Sequence, residues 1–275
     1  MAAACSAQRR PSPQSPARLC EEEGLPDGLL RRRFGSLIWR VGADLQMSPT
    51  GTATAALYFQ RFLLVAPSSG EEGFSTLRAA MSCVWLASKT LEEPQRLRDV
   101  ANAFLALEAR SAGRGAPVLE MEAYWALRDE VVWHEQVVLR AMAFDAEPTP
   151  AYALLAELGQ VLCGAGEARG VPALAWALLN DAFCSEACAV WPPAPLAAAC
   201  LLLAVELGRR APWLRGEAER VRGRLARLCR EPGLEDFLGL GASSGGPDLE
   251  DICRDLLAVY EVDAVSATSC SAVIG

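Results

Sequence analysis

An all-α chain built from two consecutive five-helix units is the fold this sequence predicts, and three observations carry it. The composition is 52% hydrophobic but only 7% aromatic, with Ala and Leu dominant. Ala and Leu head the helix scale, whereas β-branched and aromatic residues favour strands. Apolar residues recur at helical spacing through long stretches punctuated by Pro and Gly. The five-stretch pattern then occurs a second time, giving two units of about 115 residues each.

Residues 1–28 carry Pro11, Pro13, Pro16, Ser12 and Ser15, then the acidic run Glu21 to Glu23, with no apolar period. That composition predicts a disordered tail. The first unit is expected over 29–145. Its first helix, 30–46, places Phe34, Leu37, Ile38, Val41 and Leu45 on one stripe. Ser48-Pro49 supplies a cap and a first-turn proline for a second helix through Leu64. After a Pro/Ser/Gly loop at 66–73, a third helix covers 75–89 with Leu77, Met81, Val84 and Ser88 at helical spacing. Thr90 to Glu93 break it, and Pro94 is expected to open a fourth helix through Leu107. Arg110 to Pro117 reads as a Gly-rich loop, and the fifth helix spans 119–142, ending before Phe144-Asp145.

The second unit, 146–263, is expected to hold helices over 150–162, 171–185, 193–208, 213–230 and 247–261, followed by a flexible tail at 264–275. Ala80 to Ala87 in the first unit has its counterpart in Ala197 to Ala204.

Charge and cysteine usage narrow the function classes. Asp and Glu number 34 against 26 cations, a net charge of −8. A phosphate-gripping chain normally shows a basic face, so nucleic acid is not an expected direct partner. The longest apolar run, Leu196 to Val205, is half the length a bilayer span needs, about 20 residues. No apolar signal segment follows Met1, so the ten Cys read as reduced and mostly buried, and the chain as intracellular, nuclear or cytoplasmic. One His and no Cys-x-x-Cys pair argue against a zinc site, and neither a metal nor a cofactor is expected. No catalytic residue is expected either. The lone His134 has no nearby nucleophile and reads as a surface or packing residue.

One cation stands apart. Lys89 is the only Lys among the 26 basic residues. A position that stays Lys in so Arg-biased a chain reads either as a need for a compact ammonium rather than a planar guanidinium, or as chance survival. Glu135 is the second singular charge, one turn from Val131, Val132, Val138 and Leu139. A carboxylate beside that much apolar surface is costly unless something satisfies it.

The segment Leu86-Ala87-Ser88-Lys89-Thr90-Leu91-Glu92-Glu93-Pro94 resembles the end of the third helix of a cyclin box. Leu127 to Asp145, with Glu135, Leu139 and the terminal Phe144-Asp145, resembles the fifth. The resemblance covers about residues 33–263 and implies an all-α fold of two tandem five-helix cyclin boxes. It also implies a non-catalytic regulatory subunit that forms a heterodimer with a cyclin-dependent kinase and activates it. By resemblance, Lys89 donates to backbone carbonyls near the kinase's αC helix and Glu135 accepts from backbone amides there. Leu86, Leu139 and Phe144 match positions that pack on that helix. Tyr124 to Asp129, Ala175 to Asp181 and Asp255 to Asp263 are similar to the cyclin Q branch, which implies cyclin-dependent kinase 10 as the kinase. The first helix carries Phe34-Gly35-Ser36-Leu37-Ile38 where cell-cycle cyclins carry a substrate-docking patch, so Arg-x-Leu docking is not expected. Ser15-Pro16-Ala17-Arg18 fits a proline-directed phosphorylation site, and Ser12-Pro13 is a second candidate.

Competing readings make different demands. A cyclin-fold transcription factor that binds DNA needs a basic surface. An all-α metal-dependent enzyme needs an acidic metal motif, and none is present. A cyclin-fold scaffold acting without a kinase makes no demand that the sequence fails.

Overall fold

The structure, a computed structural model, describes residues 27–65, 75–115, 119–149, 151–163, 169–228 and 249–260. No strand occurs among them. The first unit holds α1 (Asp27–Asp44), α2 (Pro49–Val65), α3 (Thr76–Thr90), α4 (Leu97–Ser111) and α5 (Met121–Ala141). The second holds α6 (Ala151–Cys163), α7 (Gly170–Ala182), the single turn α8 (Ala187–Val190), α9 (Pro193–Arg210), α10 (Arg215–Leu228) and α11 (249–260). Ser12 and Ser15 lie outside the described residues.

Each unit wraps a central helix. In the first it is α3, buried from Thr76 to Ser88 except at Arg78 and Trp85, and packed on α2 and α5. In the second it is α9, buried from Pro195 to Leu201 and packed on α6, α7 and α10. Small residues permit this. Ala79, Ala80, Cys83 and Ala87 in α3, and Ala197, Ala199, Cys200 and Ala204 in α9, are fully buried. They let neighbouring backbones approach on every side.

The cap expected at Ser48 forms, and Ser75, expected as the first helical residue, caps α3 as well. Ser48 Oγ accepts from the Gly51 N–H at 2.9 Å, and Ser75 Oγ from the Arg78 N–H at 3.4 Å.

Several boundaries differ from expectation. Pro94 does not open a helix, and α4 starts at Leu97. Residues 93–95 are non-helical and held by polar contacts instead. Glu93 Oε2 accepts from the Ser48 N–H at 3.1 Å, the Gln95 N–H donates to Ser88 Oγ at 3.4 Å, and the Gln95 amide donates to the Leu45 carbonyl at 3.4 Å. α4 runs on to Ser111 because Gly113, at φ 65°, takes the left-handed position that closes the helix. In the second unit α7 stops at Ala182, and the unforeseen turn α8 precedes α9.

α1 belongs to both units. A Cβ on Gly35 would lie 2.7 Å from the Cys184 Cα, so only glycine lets α1 sit this close to the end of α7. Arg31 donates to Gln60 Oε1 at 3.1 Å and lies 3.9 Å from the Glu186 carboxylate. Arg32 donates to the Val259 carbonyl at the end of α11 at 2.5 Å. Phe34, Leu37 and Ile38 of α1 are buried, Phe34 against Phe59 of α2, and Ser36 between them is exposed.

Burial pushes the Cys83 and Cys188 thiols up, and those of Cys184 and Cys200 up to about 12. These thiols stay protonated and pack as small hydrophobes.

Candidate functional site

The two singular charges of the sequence meet. Lys89 stands in the last turn of α3 and Glu135 in the second half of α5. Lys89 Nζ donates to Glu135 Oε1 across the groove between the helices. Glu135 is 9% exposed. Its partner therefore satisfies the buried carboxylate that the apolar surroundings would otherwise penalise. The Lys89 ammonium also lies 3.7 Å from the centroid of the Trp85 ring, one turn back. Two attractions from one side thus fix the ammonium at the protein surface.

An apolar rim continues from this pair. Leu86 is buried, with only its edge at the surface, and Leu139 is half-buried. Phe144 is 69% exposed. Phe144 is held out by unusual backbone. Ala143 and Phe144 both adopt positive φ, 51° and 62°. Each such conformation costs an L-residue about 1–2 kcal/mol. Two bonds lock them: the Ala143 N–H donates to the Arg140 carbonyl at 3.0 Å, and the Phe144 N–H to the Leu139 carbonyl at 2.8 Å. These left-handed residues end α5 and leave the Phe144 ring exposed.

Four contacts hold α5 in register with α3. Arg78 Nε donates to Glu130 Oε2 at 2.8 Å. The Ser82 hydroxyl is 2.8 Å from the Val131 carbonyl oxygen. His134 Nε2 accepts from the Ser75 N–H at 3.2 Å, while its Nδ1 lies 2.7 Å from the Glu130 carbonyl oxygen. The fourth is the Lys89–Glu135 pair. His134 is 2% exposed, so of its two expected roles the structure assigns packing. Burial holds its pKa below the ordinary imidazole range.

Sequence reasoning missed Tyr58. This fully buried residue of α2 donates its hydroxyl to the Ala146 carbonyl at 2.6 Å and lies 3.2 Å from Thr90 Oγ1. It thus ties the segment after Phe144 to the residue after Lys89. Its signal was present: one phenol in a helix face of Ala, Leu and Phe needs a polar partner.

Among the described residues, no group of three or more His, Cys, Asp or Glu is placed to hold a metal ion. No helix among them is long and apolar enough to cross a membrane.

An all-helical pair of units, each wound around a buried small-residue helix, with a Lys–Glu pair between the third and fifth helices of the first, defines a cyclin-type protein. The comparisons agree with that geometry. The family described as "Cyclin, N-terminal domain" matches residues 5–147, so the chain belongs to the cyclin family. It is similar to Cyclin pch1 of Schizosaccharomyces pombe, 28% identical over 190 residues, covering 67% of this chain and 53% of that protein. Cyclin-L2 of Homo sapiens is 26% identical over 239 residues, covering 84% of this chain and 40% of the relative. Cyclin-L1 of Danio rerio is 29% identical over 171 residues, with 62% and 33% covered. The chain thus spans about half or less of the length of these relatives. A chain in the crystal structure of the yeast RNA Pol II CTD kinase CTDK-1 complex shares the fold, with a TM-score of 0.61 at 17% identity. It covers 85% of this chain and 66% of its own length.

Proposed function

We propose that this cyclin is a non-catalytic regulatory subunit that binds a cyclin-dependent kinase through the α3–α5 face of its first unit and activates it. The observation that carries the reading is the Lys89–Glu135 pair at the surface, flanked by half-buried Leu139 and exposed Phe144. Kinase activity requires an ion pair between a β3 Lys and an αC Glu, so αC must be held inward. On docking, Lys89 exchanges Glu135 for backbone carbonyls of αC, and Glu135 accepts backbone N–H groups in return. Leu139, Phe144 and the edge of Leu86 supply buried area. Covering the Phe144 ring alone stabilises the complex by about 2–3 kcal/mol. The cyclin thereby shifts the kinase population towards its active state. The kinase is cyclin-dependent kinase 10, on the strength of the three segments similar to cyclin Q. The complex is intracellular, nuclear or cytoplasmic. The acidic balance of −8 disfavours the DNA-binding alternative.

Pull-down of the full chain from cells, with identification of the bound kinase, tests this directly. Cyclin-dependent kinase 10 is expected, and capture of a different cyclin-dependent kinase overturns that assignment alone. The double variant Lys89→Ala/Glu135→Ala is expected to keep its helical content and lose kinase co-purification. Undiminished binding and activation by that variant would overturn the site.

A further inference from the structure

Lys89 is the only lysine among the 26 Lys and Arg residues of the sequence. An arginine keeps its charge under physiological conditions, whereas a lysine amine is open to acylation, which removes it. Side-chain amine chemistry is therefore concentrated at one atom, Lys89 Nζ, and that atom stands in the α3–α5 face.

The geometry leaves this atom within reach and makes its charge consequential. The Lys89 side chain is 41% exposed, while that of Glu135 is 12% exposed. The ammonium donates to Glu135 Oε1 and lies 3.7 Å from the centroid of the Trp85 ring. The acid is the more buried partner, so it depends on the cation more than the cation depends on it. Neutralising Lys89 has two effects. Glu135 keeps at most one neutral N–H donor in place of a charged one, and the face loses the cation that would hold the backbone carbonyls of a kinase. No second lysine in the sequence can take over.

We propose, on the kinase-binding reading of this face, that Lys89 is an acylation site which takes a small acyl group from a coenzyme A thioester, and that acylation and kinase docking exclude each other. The ammonium gives one proton to Glu135 Oε1, the oxygen it already donates to. The neutral amine attacks the thioester carbonyl carbon; the C–N bond forms as the C–S bond breaks. The departing thiolate takes up the second proton of the nitrogen, and the Glu135 carboxyl returns its own to water. The products are a neutral amide and a free thiol, with no change of oxidation state. A docked kinase covers Nζ, so only the free cyclin is modified. An acylated cyclin lacks the ammonium, so it stays free. A small acyl group suffices, because the lost charge and not added bulk is what weakens docking.

The test incubates the purified full chain with acetyl-coenzyme A, with and without the kinase that the full chain captures. Trypsin cuts after Arg78, Lys89 and Arg96, and acetylation of Lys89 blocks the middle cut, so the modified chain yields one peptide over 79–96. That peptide is expected from the free chain. Kinase at about ten times its dissociation constant should slow its appearance about tenfold, in proportion to the chain left unbound. The acetylated chain should bind the kinase at least about tenfold more weakly than the unmodified one. In chain recovered from cells, the same peptide should be found in the kinase-free fraction and be depleted about tenfold in the kinase-bound fraction. Three results overturn the proposal: no acetyl-Lys89 on the free chain, equal modification of the two cellular fractions, or a protein-sized adduct at Lys89 in place of a small acyl group. Failure of the kinase reading looks different. Kinase binding would then survive in Lys89→Ala/Glu135→Ala, whereas acetylation of the free chain is measured with no kinase present.

Discussion

The two units share a plan and differ in how it is fastened. In the first, polar contacts fix α5 against α3 at Ser75, Arg78, Ser82 and Lys89. In the second, α9 and α11 meet mainly through apolar and small side chains, with Ile252 and Leu256 buried and the Cys253 thiol 3.9 Å from the Ala199 carbonyl oxygen. At the place corresponding to Lys89, the second unit has exposed Glu206, paired sideways to Arg209 at 2.8 Å. Apolar packing tolerates small slides of one helix on another, whereas directional bonds do not. The unit that carries the proposed kinase-binding face is the one with the directional bonds.

The largest expected effect comes from breaking the seam between the units. Gly35→Val would drive a side chain into the Cys184 backbone, where even a Cβ would stand at 2.7 Å. A loss of about 3 kcal/mol is expected, at the upper end for overpacking. Because α1 serves both units, thermal unfolding should remain one transition at a lower midpoint. Two transitions, with the second unit unshifted, would show that the units are fastened independently.

Next is the Lys89 pair. Lys89→Met leaves Glu135 buried without its cation. A cost of about 1–2 kcal/mol is expected, reduced from the fully buried case because the Lys89 side chain is 41% exposed. Adding Glu135→Gln should restore part of it, measured by denaturant titration. Glu206→Met in the second unit should stay within about 0.5 kcal/mol. An equal cost at both positions would erase the proposed contrast.

A finer comparison uses two tyrosines. Tyr58→Phe removes the bonds to Ala146 and Thr90, and Tyr152→Phe removes a 2.5 Å bond to Asn180. Each should cost about 1 kcal/mol of stability. Only Tyr58→Phe should weaken kinase binding, since its hydroxyl sets the positions of Phe144 and Lys89. Equal affinities for the two variants would deny Tyr58 that positioning role.

How much of this was legible in the sequence follows the same division. Helices whose ends are set by local chemistry were readable: Ser48 caps α2, and the apolar stripe of α1 is buried as patterned. Ends set by distant partners were not. Pro94 looked like a helix start, but Glu93 and Gln95 are bound to Ser48 and Leu45, about 45 residues back in the chain. Lys89 and Glu135 stood out separately as a scarce cation and an ill-placed acid, but that they meet each other was not read from the sequence. The register that positions the pair was not legible either, because Ser82, His134 and Tyr58 act through contacts between helices far apart in sequence.

His134 gives the smallest effect and the most local one. It is buried and neutral, with its pKa lowered by burial, whereas the unfolded chain protonates it near pH 6.5. Above that pH both states carry a neutral ring and its contribution is fully present. As pH falls below about 6.5 the unfolded state binds a proton that the folded state resists, and stability is lost, by at most about 1.4 kcal/mol at pH 5.5. The chain has one His, the side chain whose ordinary charge change falls in this window. His134→Gln can keep a donor towards the Glu130 carbonyl and an acceptor for the Ser75 N–H, and should flatten the pH 5.5–7 stability profile. Hydrogen exchange should show the loss in α3 and α5 and not in α9. Equal loosening of α9 would mean that the polar register of the first unit governs both halves.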